Sequence, residues 1–246
     1  MKSGSHLELQ NIVFRYPGAK IPVYDQLDFT FEKGRAGLLG DNGSGKTTLF
    51  HVLVGLVKPD RGRVLFNGRE MENDNDFKFL RRHVGMVFQQ ADDQLFSPTV
   101  IEDVAFGPLN YDCAREEAAE IASRTLKKVG LQGYEHRVTH RLSGGEKRLV
   151  ALATVLAMEP DVLLLDEPTN DLDKSSRSRL IDILGELEQS YIIISHDQDF
   201  LSNLVESYYL LEKGKLIHTT DAILHQHQHF HILGEQNHRH HDSLVD

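Results

Sequence analysis

The stretch Gly40-Asp41-Asn42-Gly43-Ser44-Gly45-Lys46-Thr47-Thr48 constrains this chain more than any other. It follows a short apolar run, "RAGLL", and precedes an apolar-periodic one, "LFHVLVGL", so it reads as a loop that leaves a strand and opens a helix. A G-x-x-x-x-G-K-[ST] pattern at such a junction is a phosphate cradle. Gly43 and Gly45 let the backbone come close and point successive N–H groups inward, and the helix N-terminus adds a dipole that favours negative charge. Lys46 is placed to reach the β- and γ-phosphates and Thr47 to offer its hydroxyl to Mg²⁺. With Asp41, Asn42, Ser44 and Thr48 completing the loop, a nucleoside triphosphate is expected here. The loop alone does not separate an ATPase from a kinase or a GTPase.

A second stretch narrows the choice. "VLLLDEP" is an apolar strand that delivers Asp166 and Glu167 to the carboxyl end of a buried sheet, where ligands collect in open α/β folds. Asp166 suits a water-mediated hold on Mg²⁺, and Glu167 suits the general base that polarises an attacking water. "SYIIISHD" is a similar continuous apolar run, and "KSSRSRLIDILGELEQ" between the two reads as a crossover helix. Both strands therefore belong in a parallel sheet covered on both faces.

The remaining elements follow from alternation and turn signals. "HLELQNIVFRYPG" reads as an edge strand turning at Pro17-Gly18, "LDFTFEKG" as a second alternating strand, and "GRVLFNG" and "VGMVFQQ" as short strands. From about Ile101 to Ala157 the pattern is helical, clearest in "EEAAEIASRTLKKVG". Within it, Leu142-Ser143-Gly144-Gly145-Glu146 opens a helix with a hydroxyl and bare N–H groups, a second anion site about a hundred residues from the first. Two phosphate-binding surfaces on one chain make sense if two chains face each other and share nucleotides.

The formal charge of −10 argues against nucleic acid as a partner, because phosphate backbones reward Lys and Arg. Cys113 is the only cysteine, which fits a reducing, cytosolic compartment and excludes an intramolecular disulfide. No apolar run approaches the roughly 18 residues that span a bilayer, so any membrane part must come from other chains.

In this order the motifs resemble the nucleotide-binding subunit of an ATP-binding cassette transporter, over about Leu7 to Leu216. The resemblance implies an α/β fold: a P-loop NTPase (RecA-like) core with an antiparallel β edge subdomain and an inserted α-helical subdomain at about residues 90–160. The ATPase domain is expected over residues 1–220, and a His-rich tail over 221–246. Tyr16 stands where that family stacks an aromatic on adenine. Gln89 stands where the family contacts Mg²⁺ and water and relays closure to the membrane partner. Leu142–Glu146 matches the signature that binds the γ-phosphate of the opposite subunit's ATP. Asn170, Asp171 and Asp173 fall in the loop that crosses the dimer interface, and His196 matches the histidine that senses the γ-phosphate. The resemblance implies ATP and Mg²⁺ as ligands, a second ATPase subunit (a homodimer), integral membrane transport subunits as partners, and a peripheral place on the cytoplasmic face of the membrane.

Within the family, "QQADDQLFSPTVIEDVAFGPLN" is similar to the ATPases of energy-coupling-factor importers. "LLLDEPTNDLD" and "ISHDQDFL" also resemble the soluble ABC-F group that acts on ribosomes, but Asp171 replaces that group's usual histidine. The chain ends on "LHQHQHFHILGEQNHRHH", with His225, His227, His229 and His231 alternating and His238, His240 and His241 following. Extended, the first four share a face; helical, they form i, i+4 pairs. Either can bring imidazoles to one ion, and imidazole suits Ni²⁺, Zn²⁺, Cu²⁺ and Co²⁺ without favouring one; the alternative is a solvated tail that binds metal only in a test tube. The expectation is the ATPase of a Ni²⁺ or Co²⁺ importer, with a vitamin importer and a ribosome-acting ATPase as alternatives.

Overall fold

The computed structural model describes residues 6–170 and 172–220, and the backbone of 222–224 and 230–232. Two sheets carry the fold. The larger is built from β3 (Arg35–Leu39), β6 (Val84–Val87), β7 (Val162–Asp166), β8 (Ser190–Ile194), β9 (Ser207–Glu212) and β10 (Lys215–Thr219), in the order β10-β9-β3-β8-β7-β6. All its pairings are parallel except β9 with β10. The smaller is antiparallel, in the order β2-β1-β4-β5, from β1 (Leu7–Phe14), β2 (Tyr24–Phe31), β4 (Arg61–Phe66) and β5 (Arg69–Glu70).

The period-2 geometry of strands explains why "VLLLD" and "YIII" are apolar throughout. Leu163, Leu165, Tyr191 and Ile193 point into one core, and Val162, Leu164, Ile192 and Ile194 into the other. The first core is closed by helices α3 (Val100–Asn110), α4 (Arg115–Lys128), α5 (Gly144–Leu156) and α6 (Lys174–Glu186). The second is closed by the antiparallel sheet and by α1 (Lys46–Leu53), whose Leu49, Phe50, Val52 and Leu53 are buried in it. Each such side chain taken fully out of water contributes about 1.5–3 kcal/mol before entropy is counted. Both cores therefore press on the strands whose ends carry the site.

Two sequence expectations need correction. Leu7–Phe14 is not an edge strand: it pairs with β2 on one side and β4 on the other, and Leu7, Leu9, Ile12 and Phe14 are all buried. Between "GRVLFNG" and "VGMVFQQ" lies a helix that the pattern did not announce, α2 (Asp74–His83). Its first turn is fixed by reciprocal capping: Asn73 accepts from the Asp76 N–H, and Asp76 accepts from the Asn73 N–H. A short helix α7 (Gln198–Ser202) follows β8, with Asp197 as its cap. In the tail, β11 (Ala222–Leu224) pairs antiparallel with β12 (Phe230–Ile232), setting Ile223 opposite His231.

Candidate functional site

The phosphate loop runs from the end of β3 into α1. Gly40, Gly43 and Gly45 all have left-handed backbones (φ +147°, +78° and +108°), a conformation that favours glycine. At Gly45 space adds a second reason, because a Cβ would meet the Val23 side chain at 2.7 Å and the Tyr24 hydroxyl at 2.9 Å. The Tyr24 hydroxyl donates to the Gly45 carbonyl and so fixes the loop from below. The sequence does not mark Tyr24 for this role, because a buried Tyr on an alternating strand carries no local sign of it.

Gly45 is the N-cap of α1 and contributes no side chain, and no acidic residue occupies the first turn. The positive helix end is thus left to an external anion. Lys46 bends back over the loop, its Nζ donating to the Gly40 carbonyl at 2.8 Å and the Asp41 carbonyl at 3.0 Å. Burial pulls the Lys46 ammonium below its usual range, while the carboxylates of Glu167, Asp166 and Asp41 oppose that. Gly43 has nothing within 4 Å of its outward direction, so the rim of the cradle is open. Tyr16 lies half-exposed beside α1, its hydroxyl 2.9 Å from Thr48 Oγ1 and its ring edge-on to Phe14.

Asp166 ends β7 and is almost fully buried, yet neither of its oxygens closes a hydrogen bond. Burial pushes its carboxyl above the usual range, and Thr47, His51, Lys46 and Arg148 pull the other way. A buried, unpaired carboxylate ringed by a hydroxyl and cations fits a divalent cation held nearby. Glu167, the next residue, has a left-handed backbone (φ +44°), held by its N–H donating to the Ile194 carbonyl at 2.9 Å. Its Oε1 stands 3.1 Å from His196 Nε2. Burial raises the Glu167 pKa, and His196 is the strongest opposing influence.

Gln89 lies exposed just past β6, its carbonyl accepting from Arg148 at 2.5 Å. Asn170 donates its N–H to the Glu167 carbonyl at 3.3 Å. Asp173 caps α6, accepting from the Ser176 N–H at 2.8 Å, and bonds to Ser176 and Ser175 hold its carboxyl below the ordinary value. Asp171 lies outside the described residues.

Leu142–Glu146 sits at the start of α5. Leu142 is buried, the Ser143 hydroxyl accepts from the Glu146 N–H, and Glu146 accepts from the Ser143 N–H at 2.8 Å. Tyr134 and Arg137 hold the other Glu146 oxygen at 2.8 and 3.4 Å. Gly144 faces open space, while a Cβ on Gly145 would meet the Ser176 hydroxyl at 2.6 Å. Among the described residues, no hydrogen bond or ion pair joins this turn to Gly40–Thr48.

The structure thus gathers the loop, Asp166, Glu167 and His196 around one point and leaves the signature turn apart. His231 is described only as backbone on β12, and His225, His227, His229, His238, His240 and His241 lie outside the described residues.

A family model for ABC transporters matches residues 24–170, more than half of the chain. A protein of Nitratidesulfovibrio vulgaris, named provisionally as an ABC transporter ATP-binding protein, is 50% identical over 95% of this chain and 86% of its own length. The energy-coupling factor transporter ATP-binding protein EcfA of Methanothermobacter thermautotrophicus is 43% identical over 86% of this chain and 69% of its own. Among solved structures, CbiO1 of Clostridium perfringens, part of the ABC transporter complex cbiONQ, superposes with a TM-score of 0.75 at 34% identity, covering 86% of each chain. The family match spans the phosphate loop and the carboxylate pair, and the chain belongs to the ABC transporter family, as an ATP-hydrolysing subunit.

Proposed function

We propose that this ATPase drives an importer of the energy-coupling-factor type whose cargo is Ni²⁺ or Co²⁺. The observation that carries the ATPase half is the buried Asp166–Glu167 pair beside the phosphate loop, with Glu167 in reach of His196. Lys46 and the α1 N-terminus hold the β- and γ-phosphates, with Tyr16 against the adenine. Thr47, Asp166 and Gln89 would hold Mg²⁺, which when bound would neutralise charge that develops on the phosphoryl oxygens. Glu167 draws a proton from the attacking water, and His196 steadies that carboxylate and the γ-phosphate. The open Gly144 face of the signature turn receives the nucleotide of a second copy, and the dimer closes across Asn170–Asp173.

Membrane subunits are the further partners. Phe96, in the loop before α3, and Phe106, on α3, are both exposed and pack edge to face at 4.7 Å, with Leu109 also exposed on α3. This apolar patch comes after the Gln89 loop in the chain and suits a short helix from a membrane chain. Among the described residues, no helix is long and apolar enough to cross a membrane. The likeness to EcfA and to CbiO1 supports the importer class. The cargo rests on the seven histidines after residue 224.

The test is uptake of Ni²⁺ and Co²⁺ by cells that express the chain with its membrane subunits, wild type against Glu167→Gln. Loss of uptake of one metal in the variant supports the reading and identifies the cargo. Uptake of both metals independent of Glu167 overturns it and directs attention to vitamin cargo.

A further inference from the structure

Helix α5 grips the loop after β6 at three heights. Lys147 Nζ lies 2.6 Å from Asp92 Oδ1. The next residue, Arg148, donates to the carbonyl oxygens of Phe88 at 3.0 Å and Gln89 at 2.5 Å. Further along, Gln94 donates to the Ala151 carbonyl and the Thr154 hydroxyl, both at 2.7 Å, and accepts from the Phe88 N–H at 3.2 Å. Arg148 also reaches a third segment, the Asn170 carbonyl, at 3.5 Å, and its charge favours the ionised form of Asp166.

Arg148 is only 5% exposed. A buried guanidinium is costly unless its donors are met, and its planar fork can span carbonyls of separate loops where an ammonium on a single point cannot. The helix that carries it is stiffened at its start by the Ser143–Glu146 capping pair and along its length by buried Leu149 to Ala153.

We propose that Arg148 is a positioning residue that makes the signature helix, the Gln89 loop and the Asn170 loop move as one piece. What seats on the α5 N-terminus then resets Gln89 beside the chain's own Asp166. This rests on reading Gln89 as a Mg²⁺ contact and Leu142–Glu146 as the partner's nucleotide site. It adds a route by which nucleotide at one site of the dimer alters Mg²⁺ use at the other, and such coupling is reciprocal.

The test uses the full chain with Arg148→Met, Arg148→Lys and, as a control, Gln89→Ala. Three quantities are measured: binding of a fluorescent ATP analogue in EDTA, hydrolysis against Mg²⁺ concentration, and amide hydrogen exchange. In Arg148→Met, analogue binding should stay within about twofold, while half-saturating Mg²⁺ rises about tenfold, the usual size for loss of a group that orients a metal contact. Exchange should rise over residues 88–94 and not in α5. Arg148→Lys should fall between, since it keeps the charge and loses the fork. If Arg148→Met folds poorly, the Mg²⁺ dependence of Arg148→Lys decides. Gln89→Ala shifting the Mg²⁺ dependence while both Arg148 variants match wild type overturns the proposal alone. Gln89→Ala leaving it unchanged overturns the reading of Gln89, and the proposal with it.

Discussion

His196 Nε2 lies 3.1 Å from Glu167 Oε1, joining the end of β8 to the end of β7 across two neighbouring parallel strands. Glu167 reaches that position through a left-handed backbone at φ +44°. Such a conformation costs a non-glycine residue of order 1–3 kcal/mol and persists only where its surroundings hold it. Here the hold is the Glu167 N–H bonded to the Ile194 carbonyl, with fully buried strand residues on either side.

If Glu167 is the base, Glu167→Gln keeps the shape of the site and loses the proton acceptor. Hydrolysis should fall by about 10² to 10⁴-fold, with ATP binding retained. Phosphate release and equilibrium nucleotide binding measure the two separately. Near-normal turnover would remove Glu167 from that role.

The pH profile gives an independent check. Burial raises Glu167 above its ordinary value of 4.5, so the base is lost to protonation at a higher pH than an exposed glutamate would be. The acid limb of kcat/KM, which reports the nucleotide-free enzyme, should therefore lie above 4.5. His196 opposes the rise, so in His196→Ala the limb of the residual activity should move further toward neutral pH. A limb that stays put would show that another group governs it.

Asp166 makes a prediction about stability. Its folded pKa is raised above the ordinary 3.8, so the folded chain binds the extra proton between the two values, and stability falls as pH climbs through that window. Asp166→Asn should accordingly raise Tm at neutral pH in nucleotide-free protein. The gain should shrink as pH falls toward 3.8. Calorimetry of both proteins across that range tests the sign.

Gly45 combines a positive φ of 108° with Val23 and Tyr24 closer than a Cβ tolerates. Gly45→Ala should cost about 1–3 kcal/mol of stability and remove measurable ATP binding by opening the cradle. Tyr24→Phe keeps the packing and loses the hydroxyl's bond to the Gly45 carbonyl, so its effect on binding should be much the smaller. Equal losses in the two would mean that the hydroxyl, not the space, controls the loop.

Deleting residues 222–246 should leave basal hydrolysis intact, since the phosphate loop, the carboxylate pair and both cores lie before residue 222. A steady-state assay with and without added Ni²⁺ tests this. Loss of the basal rate would make the tail part of the working ATPase.

Where the chemistry needs neighbours in sequence, it could be read from the sequence. The phosphate loop must place glycines, a lysine and a helix start within nine residues, and "VLLLDE" must carry two carboxylates at the end of one buried strand. Both kinds of pattern survive without knowledge of the fold. By contrast, α2 has no local signature, because only Asp76 and Leu80 of its ten residues are buried, which leaves too thin an apolar stripe. Leu7–Phe14 was misplaced at an edge because alternation tells which face of a strand is buried and not how many neighbours it pairs with.

By itself, then, the sequence determined a nucleoside-triphosphate cradle and a parallel sheet covered on both faces, since both are written in local spacing and periodicity, while ATP and the full architecture came from the family resemblance. Only the tertiary structure decided that Tyr24 props up the phosphate loop, that His196 meets Glu167, and that Arg148 ties Phe88, Gln89 and Asn170 together. The partners of Arg148 lie 60, 59 and 22 residues away along the chain. Nothing local marks such pairings; they arise when α5 packs over the ends of the parallel strands and a buried cation must find its acceptors there.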